Sequence, residues 1–397
     1  MPPPLTALLT AEEAASLLGV SRQTLYAYVS RGLLRAREAD DPRERRYVRE
    51  EVARLAAQRS RGRKPREVAK AALDWGTPVL ESGITLIEGG RLYYRGADAA
   101  QLARSSTVEA AAARLWQCDE ASAFAGALPV PPEGLLAALP KAMTPDALLT
   151  RFVVLSEDAP TAIWQRDAAR VAAGSGALLR LMTAAVLQQS PSDAPIDAQC
   201  AAAWGLDAAG QALVRQALIL CADHELNVSS FTGRCVASAG ASLRAVVVAG
   251  LAALSGTRHG GATARAEALL DELARADSPE EGLKQRLARG ESVAGFGHPL
   301  YPDGDVRAAM LLENILPAYP EWQRVCAAVE AILGRRPTID LALVLLRRHL
   351  ALPAGAAFGL FALGRTIGWI AHALEQRADG HLIRPRAAYV GVAPVGS

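Results

Sequence analysis

Apolar residues recur at helical spacing through most of the chain, in the stretches 107–116, 213–222, 243–254, 262–276, 305–316, 322–333, 340–350 and 356–377. That period admits few architectures, because each such stretch has a stripe to bury and buries it most simply against other helices. The residue types agree: of the 397 residues 51% are hydrophobic and only 5% aromatic, with Ala, Leu and Val dominant. A mainly α fold with a large buried core is expected. One stretch departs from the pattern. Ser82-Gly-Ile-Thr-Leu-Ile87 and Glu88-Gly-Gly-Arg-Leu-Tyr-Tyr94 alternate around a Gly-Gly pair, which predicts a short β-hairpin.

Charge divides the chain unevenly. Residues 1–75 carry 15 Lys/Arg against 10 Asp/Glu, whereas the whole chain nets only +2. A basic arm on a more neutral body points toward nucleic acid at that end. Its start is well punctuated. Thr10 followed by Glu13 forms a capping box that predicts a helix with Ala14, Leu17 and Leu18 on its inner face. Gly19-Val-Ser21 ends it, and Ser21 can cap a second helix from Arg22 to about Ser30, with Leu25 and Val29 inward and Arg22, Gln23, Thr24 and Tyr26 outside. Residues 33–47 read as a charged loop containing Arg45 and Arg46, and a further helix is expected over 49–59. Two short helices across a tight turn, the second polar and basic near its start, fit a recognition helix in a major groove. The same three-helix arrangement also serves as a protein–protein module, and that alternative stays open. The basic run through Ser60-Arg-Gly-Arg-Lys-Pro-Arg66 would add salt-sensitive, sequence-independent phosphate contact.

Several classes are disfavoured. No G-x-G-x-x-G or P-loop spacing occurs. The five cysteines are scattered, odd in number and free of C-x-x-C spacing, so neither a disulfide framework nor a metal site is expected. The longest charge-free apolar run, 350–364, contains Pro353, Gly355 and Gly359 and is too short to span a bilayer. Met1-Pro-Pro-Pro lacks the pattern of a secretory leader, so a cytoplasmic protein without a membrane partner is expected.

Six histidines are present, and three lie in distinctive settings: His224 in Ala222-Asp-His-Glu-Leu-Asn227, His259 in Gly256-Thr-Arg-His-Gly-Gly261 and His298 in Gly295-Phe-Gly-His298. Glycine beside histidine allows close approach of a ligand, and a histidine just before a helix can be aimed at an anion or a carbonyl oxygen. Asp340 follows Thr338-Ile and precedes an apolar helix, so the spacing alone favours a helix cap over a base, although one side chain can serve as both. Arg365, between Gly364 and the apolar run 366–370, is poorly suited to a surface and calls for an anion.

Two resemblances follow. "TAEEAASLLGVSRQTLYAYVSRGLL" with "RRYVREEVARL" resembles the winged helix-turn-helix of MerR-like and excisionase-like proteins. "ADHELNVSSFTGRCVASAGA", "ALSGTRHGGA", "GFGHPLYPDGDVRA", "RPTID", "FALGRTIGWIAHALEQ" and "IRPRAAYVG" occur in the order seen in citrate synthases, downstream of "SGITLI" and "LYYRGAD". This implies an all-helical citrate synthase fold of large and small subdomains. The domains would be 1–60 for the winged module, 61–75 for a basic linker and 76–397 for the synthase body, with the small subdomain at about 260–355.

The resemblance implies a reaction that joins acetyl-CoA, as co-substrate, to oxaloacetate with no metal or other cofactor. Asp340 would be the base, His259 a donor to the thioester oxygen and His298 a donor to the ketone. His224, Arg307, Arg365 and Arg384 would bind substrate, Arg384 from the second subunit of a homodimer. Val293, Ala294, Gly295, Phe296 and Gly297 would meet CoA. Pro299, Leu300 and Pro302 stand where a basic residue often follows the histidine, Val306 replaces a common Pro, and Leu341 replaces a common aromatic. Three functions fit this sequence: a citrate synthase, a 2-methylcitrate synthase using propionyl-CoA, or a DNA-binding regulator whose body senses such ligands.

Overall fold

The computed structural model describes residues 8–18, 20, 24, 25, 28, 29, 34, 36–38, 45–49, 52, 80–385, 390 and 391. The chain divides into two compact units, Met1–Glu81 with Arg384–Ser397, and Ser82–Ile383.

In the first unit, β1 (Leu8–Leu9) leads into α1 (Ala11–Leu18), and β2 (Ala36–Glu38) and β3 (Arg45–Val48) complete an antiparallel sheet of order β1-β3-β2. The capping box forms as its spacing requires: Thr10 N–H donates to Glu13 Oε2 at 2.8 Å, and Glu13 N–H donates to Thr10 Oγ1 at 3.2 Å. Ala14, Ala15, Leu18, Leu25, Leu34, Tyr47 and Val52 make a small core, while Leu17, expected inside, is 43% exposed. The segment read as a charged loop contains β2 and most of β3. On β3 Arg45 is exposed, Arg46 half-buried and Tyr47 and Val48 buried, so burial runs along the strand without the alternation that would have marked it in the sequence. Of the expected second helix, Thr24, Leu25, Tyr28 and Val29 are described and helical. Of the third, Arg49 and Val52 are; the linker lies outside the described residues.

The second unit opens with the expected hairpin, β4 (Thr85–Glu88) and β5 (Arg91–Tyr94) turning at Gly89 and Gly90, to which β6 (Ala97–Asp98) adds a third antiparallel strand. Helices follow: α2 (Ala99–Ser105), α3 (Val108–Trp116), α4 (Glu120–Phe124), α5 (Leu135–Ala138), α6 (Pro145–Leu155), α7 (Ala168–Leu187), α8 (Ile196–Trp204), α9 (Ala208–Leu220), α10 (Val228–Ser238), α11 (Leu243–Leu254), α12 (Ala262–Arg275), α13 (Pro279–Ala288), α14 (Val306–Glu313), α15 (Pro320–Leu333), α16 (Ile339–His349) and α17 (Ala356–Asp379).

The core is organised around α17, which is buried on every side from Ala356 to Ala373 and packs on α3, α7, α9, α10, α11 and α16. Two helices, α7 and α17, do reach bilayer-spanning length with a mean hydropathy of 1.3, contrary to the limit drawn from the apolar run. However, 72% and 94% of those stretches are buried inside the protein, as in core helices. The hairpin fastens the turn after α9: Tyr94 Oη lies 3.0, 3.2 and 3.1 Å from the carbonyls of Ile219, Leu220 and Asp223, and Thr85 Oγ1 donates to Asp223 Oδ2 at 2.6 Å. Behind it, His372 Nε2 of α17 lies 3.2 Å from Asp223 Oδ1.

Candidate active site

The turn so fixed carries His224, 6% exposed, between α9 and α10. Asn227 caps α10 by accepting N–H groups from Ser229 and Ser230 at 3.1 and 3.2 Å. That cap sets Ser229, whose Oγ receives Trp369 Nε1–H at 3.0 Å, lies 2.8 Å from Asn227 Oδ1 and also lies 2.8 Å from His259 Nε2. His259, in the turn before α12, is thus held from both α10 and α17, with its ring edge-to-face on Phe361 at 6.1 Å. Burial and then Arg365 push its pKa down to about 4, so the imidazole is neutral near pH 7.

His298 ends a loop locked to the chain entering α16: Thr338 N–H donates to Gly295 O and Gly297 N–H to Arg336 O, both at 2.8 Å. Gly297 sits at φ 77°, left-handed backbone that glycine adopts freely, with the Arg335 side chain lying over it. These two bonds occupy part of the backbone expected to meet CoA, and Val293 and Phe296 are buried. Leu300 N–H donates to His298 Nδ1 at 3.2 Å. Burial, then Arg307, lower the His298 pKa, so the neutral ring carries its proton on Nε2, a donor. His224 and His298 meet edge-to-face at 5.0 Å. Burial, then Arg307, Arg365 and His298, hold His224 neutral as well.

Asp305 caps α14 and takes the fork of Arg307, which is 2% exposed. Burial acts most strongly on Asp305, in the raising direction, yet Arg307 and the N–H donors around it bring its pKa below the usual value. Arg365, 1% exposed, donates Nε–H to Cys221 O at 2.9 Å and lies over the Phe361 ring at 4.8 Å, while its Nη2 is buried with no partner. Asp340 is not the cap of its helix. Thr338 occupies that position, and Asp340 lies in the first turn of α16, half-buried, with Thr338 Oγ1 donating to Oδ2 at 3.4 Å. Burial raises the Asp340 pKa; Arg307 opposes the rise and Asp305 adds to it.

His224, His259, His298, Arg307, Asp340 and Arg365 are therefore gathered into one electrostatically coupled cluster. Arg384 is exposed and belongs to the other unit. In that unit Thr24 lies on a helical turn, Arg45 is exposed and Arg46 half-buried on β3, and Arg22, Gln23 and Tyr26 lie outside the described residues. Sequence reasoning passed over Tyr301, which touches both His224 and His298, and Asp305, which holds Arg307. The Asp-x-Arg spacing at 305–307 was a usable signal for the second. Nothing local marked the first.

This is a mainly helical protein with a buried histidine, arginine and aspartate cluster and an N-terminal helix-turn-helix. Residues 72–386 match the family described as citrate synthase, C-terminal domain, and residues 8–60 match a helix-turn-helix domain. The chain belongs to the citrate synthase family. It is 38% identical over 185 residues to the citrate synthase of Haloferax volcanii, covering 44% of this chain and 49% of that one. It is 37% identical over 189 residues to a putative citrate synthase 2 of Mycobacterium tuberculosis, covering 44% and 50%. These matches span about half the length of the curated relatives. The crystal structure of citrate synthase from Thermotoga maritima superposes with a TM-score of 0.68 at 27% identity, covering 81% of this chain and 96% of that one.

Proposed function

We propose that the body condenses acetyl-CoA with oxaloacetate to give citrate and CoA. The observation that carries this reading is the buried, unpartnered Nη2 of Arg365, whose charge acts on the neutral His224 and His259, because an orphaned guanidinium donor at that depth is completed by an anionic substrate. Asp340 removes a methyl proton from the acetyl group, its raised pKa making it a stronger base than a surface carboxylate. His259 donates to the thioester oxygen. Donation from Nδ1–H requires Nε2 to be the acceptor, which it is when the Ser229 hydroxyl proton turns from Asn227 Oδ1, its partner at 2.8 Å, to the imidazole. The new carbon–carbon bond forms at the ketone, whose oxygen takes a hydrogen bond and then a proton from His298 Nε2–H. Water next cleaves the thioester and CoA leaves as the thiol. Arg307 and Arg365 hold the carboxylates with His224, Arg384 joins from a second subunit, and backbone groups of 293–297 receive CoA. The five free cysteines support a reducing, cytoplasmic setting.

The test is release of CoA thiol from acetyl-CoA, and in parallel from propionyl-CoA, by folded protein with and without oxaloacetate. Release from either that depends on oxaloacetate supports condensation, and the faster acyl-CoA names the substrate. No release from either overturns the reading.

A second reading concerns the N-terminal module. Its capping box, its β2–β3 wing and the basic excess of residues 1–75 support DNA contact through Arg22, Gln23, Thr24, Tyr26, Arg45 and Arg46. If the body's ligands also regulate it, DNA and ligand must alter each other's affinity equally. Binding of genomic fragments measured against salt, with and without oxaloacetate, citrate or acyl-CoA, tests this. Absence of binding at low salt overturns DNA contact, and affinity unchanged by every ligand overturns regulation.

A further inference from the structure

Tyr301 is 2% exposed and lies among His224, His298 and Arg307. Its Oη is 3.1 Å from His224 Nε2, its ring lies 5.5 Å from His224 and 5.4 Å from His298, and the Arg307 guanidinium sits over that ring at 5.5 Å. Its backbone is tied to His298 as well, Tyr301 N–H donating to His298 O at 2.9 Å. We propose that Tyr301 is a positioning residue of the keto-acid pocket, acting through His224: its hydroxyl fixes the orientation and tautomer of that histidine while its ring packs beneath Arg307 and beside His298.

The direction of the bond follows from donor counting. Tyr301 holds its proton, burial pushing the pKa up to about 12 against the opposing charge of Arg307. Among the described residues His224 Nε2 is the one acceptor within hydrogen-bond distance of that hydroxyl. A buried O–H left without an acceptor is costly, so the phenol donates to Nε2. A neutral imidazole that accepts at Nε2 carries its proton on Nδ1, which fixes the histidine in one of its two tautomers. Without the hydroxyl, a neutral His224 exchanges tautomers and turns about its side-chain bonds in a pocket where Arg307, Arg365 and His298 all repel its charged form. Tyr301 transfers nothing itself.

The inference rests on the keto-acid reading of the cluster, and the experiment separates the two. Oxaloacetate binding is measured by calorimetry without acyl-CoA for the full chain, Tyr301→Phe, His224→Ala and the double variant, with turnover alongside. Phenylalanine keeps the ring and removes only the hydroxyl. The expected result is roughly five- to tenfold weaker binding for Tyr301→Phe, the loss of one buried hydrogen bond. KM for oxaloacetate rises more than kcat falls, and less than about a twofold further effect appears when His224 is already alanine. Additive effects of the two substitutions would show that Tyr301 does not act through His224, and unchanged binding in Tyr301→Phe would show that the hydroxyl positions nothing. Either overturns the inference. If the unsubstituted protein binds no keto-dicarboxylate, the functional reading beneath it falls instead.

Discussion

Asp305 grips Arg307 with both carboxylate oxygens, Nε–H donating to Oδ1 at 2.9 Å and Nη2–H to Oδ2 at 2.8 Å. The same carboxylate accepts the N–H of Ile339 at 3.0 Å, one residue ahead of Asp340. One side chain thus ties the arginine proposed to bind substrate to the helix that carries the proposed base, and its negative charge raises the proton affinity of Asp340.

Replacing Asp305 by Asn keeps an oxygen for the backbone donors and removes the charge. Stability is expected to fall by roughly 3–5 kcal/mol, because a buried guanidinium loses its counter-ion. Asp340 loses a neighbour of like charge, so its pKa drops and the acidic limb of the kcat profile moves to lower pH. Thermal melts and a pH–rate profile check the two effects. A limb that stays in place would show that the two carboxylates are not coupled.

Asp340→Asn isolates the base from binding. Turnover in the thiol-release assay is expected to fall about 10²–10⁴-fold, the range of a positioned general base, with oxaloacetate affinity nearly retained, since the arginines are untouched. Near-full activity in this variant would refute the assignment.

Stability should depend on pH through the histidines. His224, His259 and His298 are all held neutral in the fold, His259 with its pKa down at about 4, against an ordinary value of 6.5. Between those values the unfolded chain takes up protons that the folded chain refuses, so stability falls as pH drops from about 6.5 toward 4. Asp305 works in a lower window. Its depressed pKa contributes stability present above 3.8, lost as pH falls through the folded value. The midpoint of thermal unfolding is expected to be lower at pH 5 than at pH 7.5, and His298→Asn should flatten part of that slope. An equal slope in the variant would show that His298 titrates alike in both states.

Local rules carried the sequence reading furthest. The Thr10–Glu13 box, the Gly89–Gly90 hairpin and the limits of Leu243–Leu254 appear where the pattern put them, because each is decided by contacts within a few residues. Of the seven side chains that the family motifs proposed as catalytic or substrate-binding, six lie in one unit and Arg384 in the other. Tyr301 escaped because its meaning lies in His224, 77 residues away in the chain, and no pattern within a segment reports such a pairing. The cap of α16 lies two positions before Asp340: Thr338 and Asp340 are both good caps, and only the backbone decides between them. The short strands at 36–38 and 45–48 were hidden because each is only three or four residues long and rich in arginine, with no apolar alternation to mark it.

Gly368→Ala tests how the core holds the site. Alanine in a helix normally gains about 1 kcal/mol over glycine. Here its Cβ would press on the carbonyl oxygen of Ala222 and lie 2.5 Å from Asp223 Oδ1, atoms of the turn that the hairpin fastens. Backbone cannot swing aside as a flexible side chain can, so α17 or the turn must move. Overpacking of this kind costs about 1–3 kcal/mol, more than the helix gain. Because Cys221 O holds Arg365 and His224 follows Asp223, the shift is also expected to weaken oxaloacetate binding. Gly126→Ala, at a bend outside any helix, is the steric control, since its Cβ would meet Ala173 Cβ at an ordinary 3.5 Å. Melting temperature and calorimetric affinity, read together for the two variants, give the answer: a Gly368→Ala protein as stable and as tight-binding as the control would mean that the turn bearing His224 is not braced by α17.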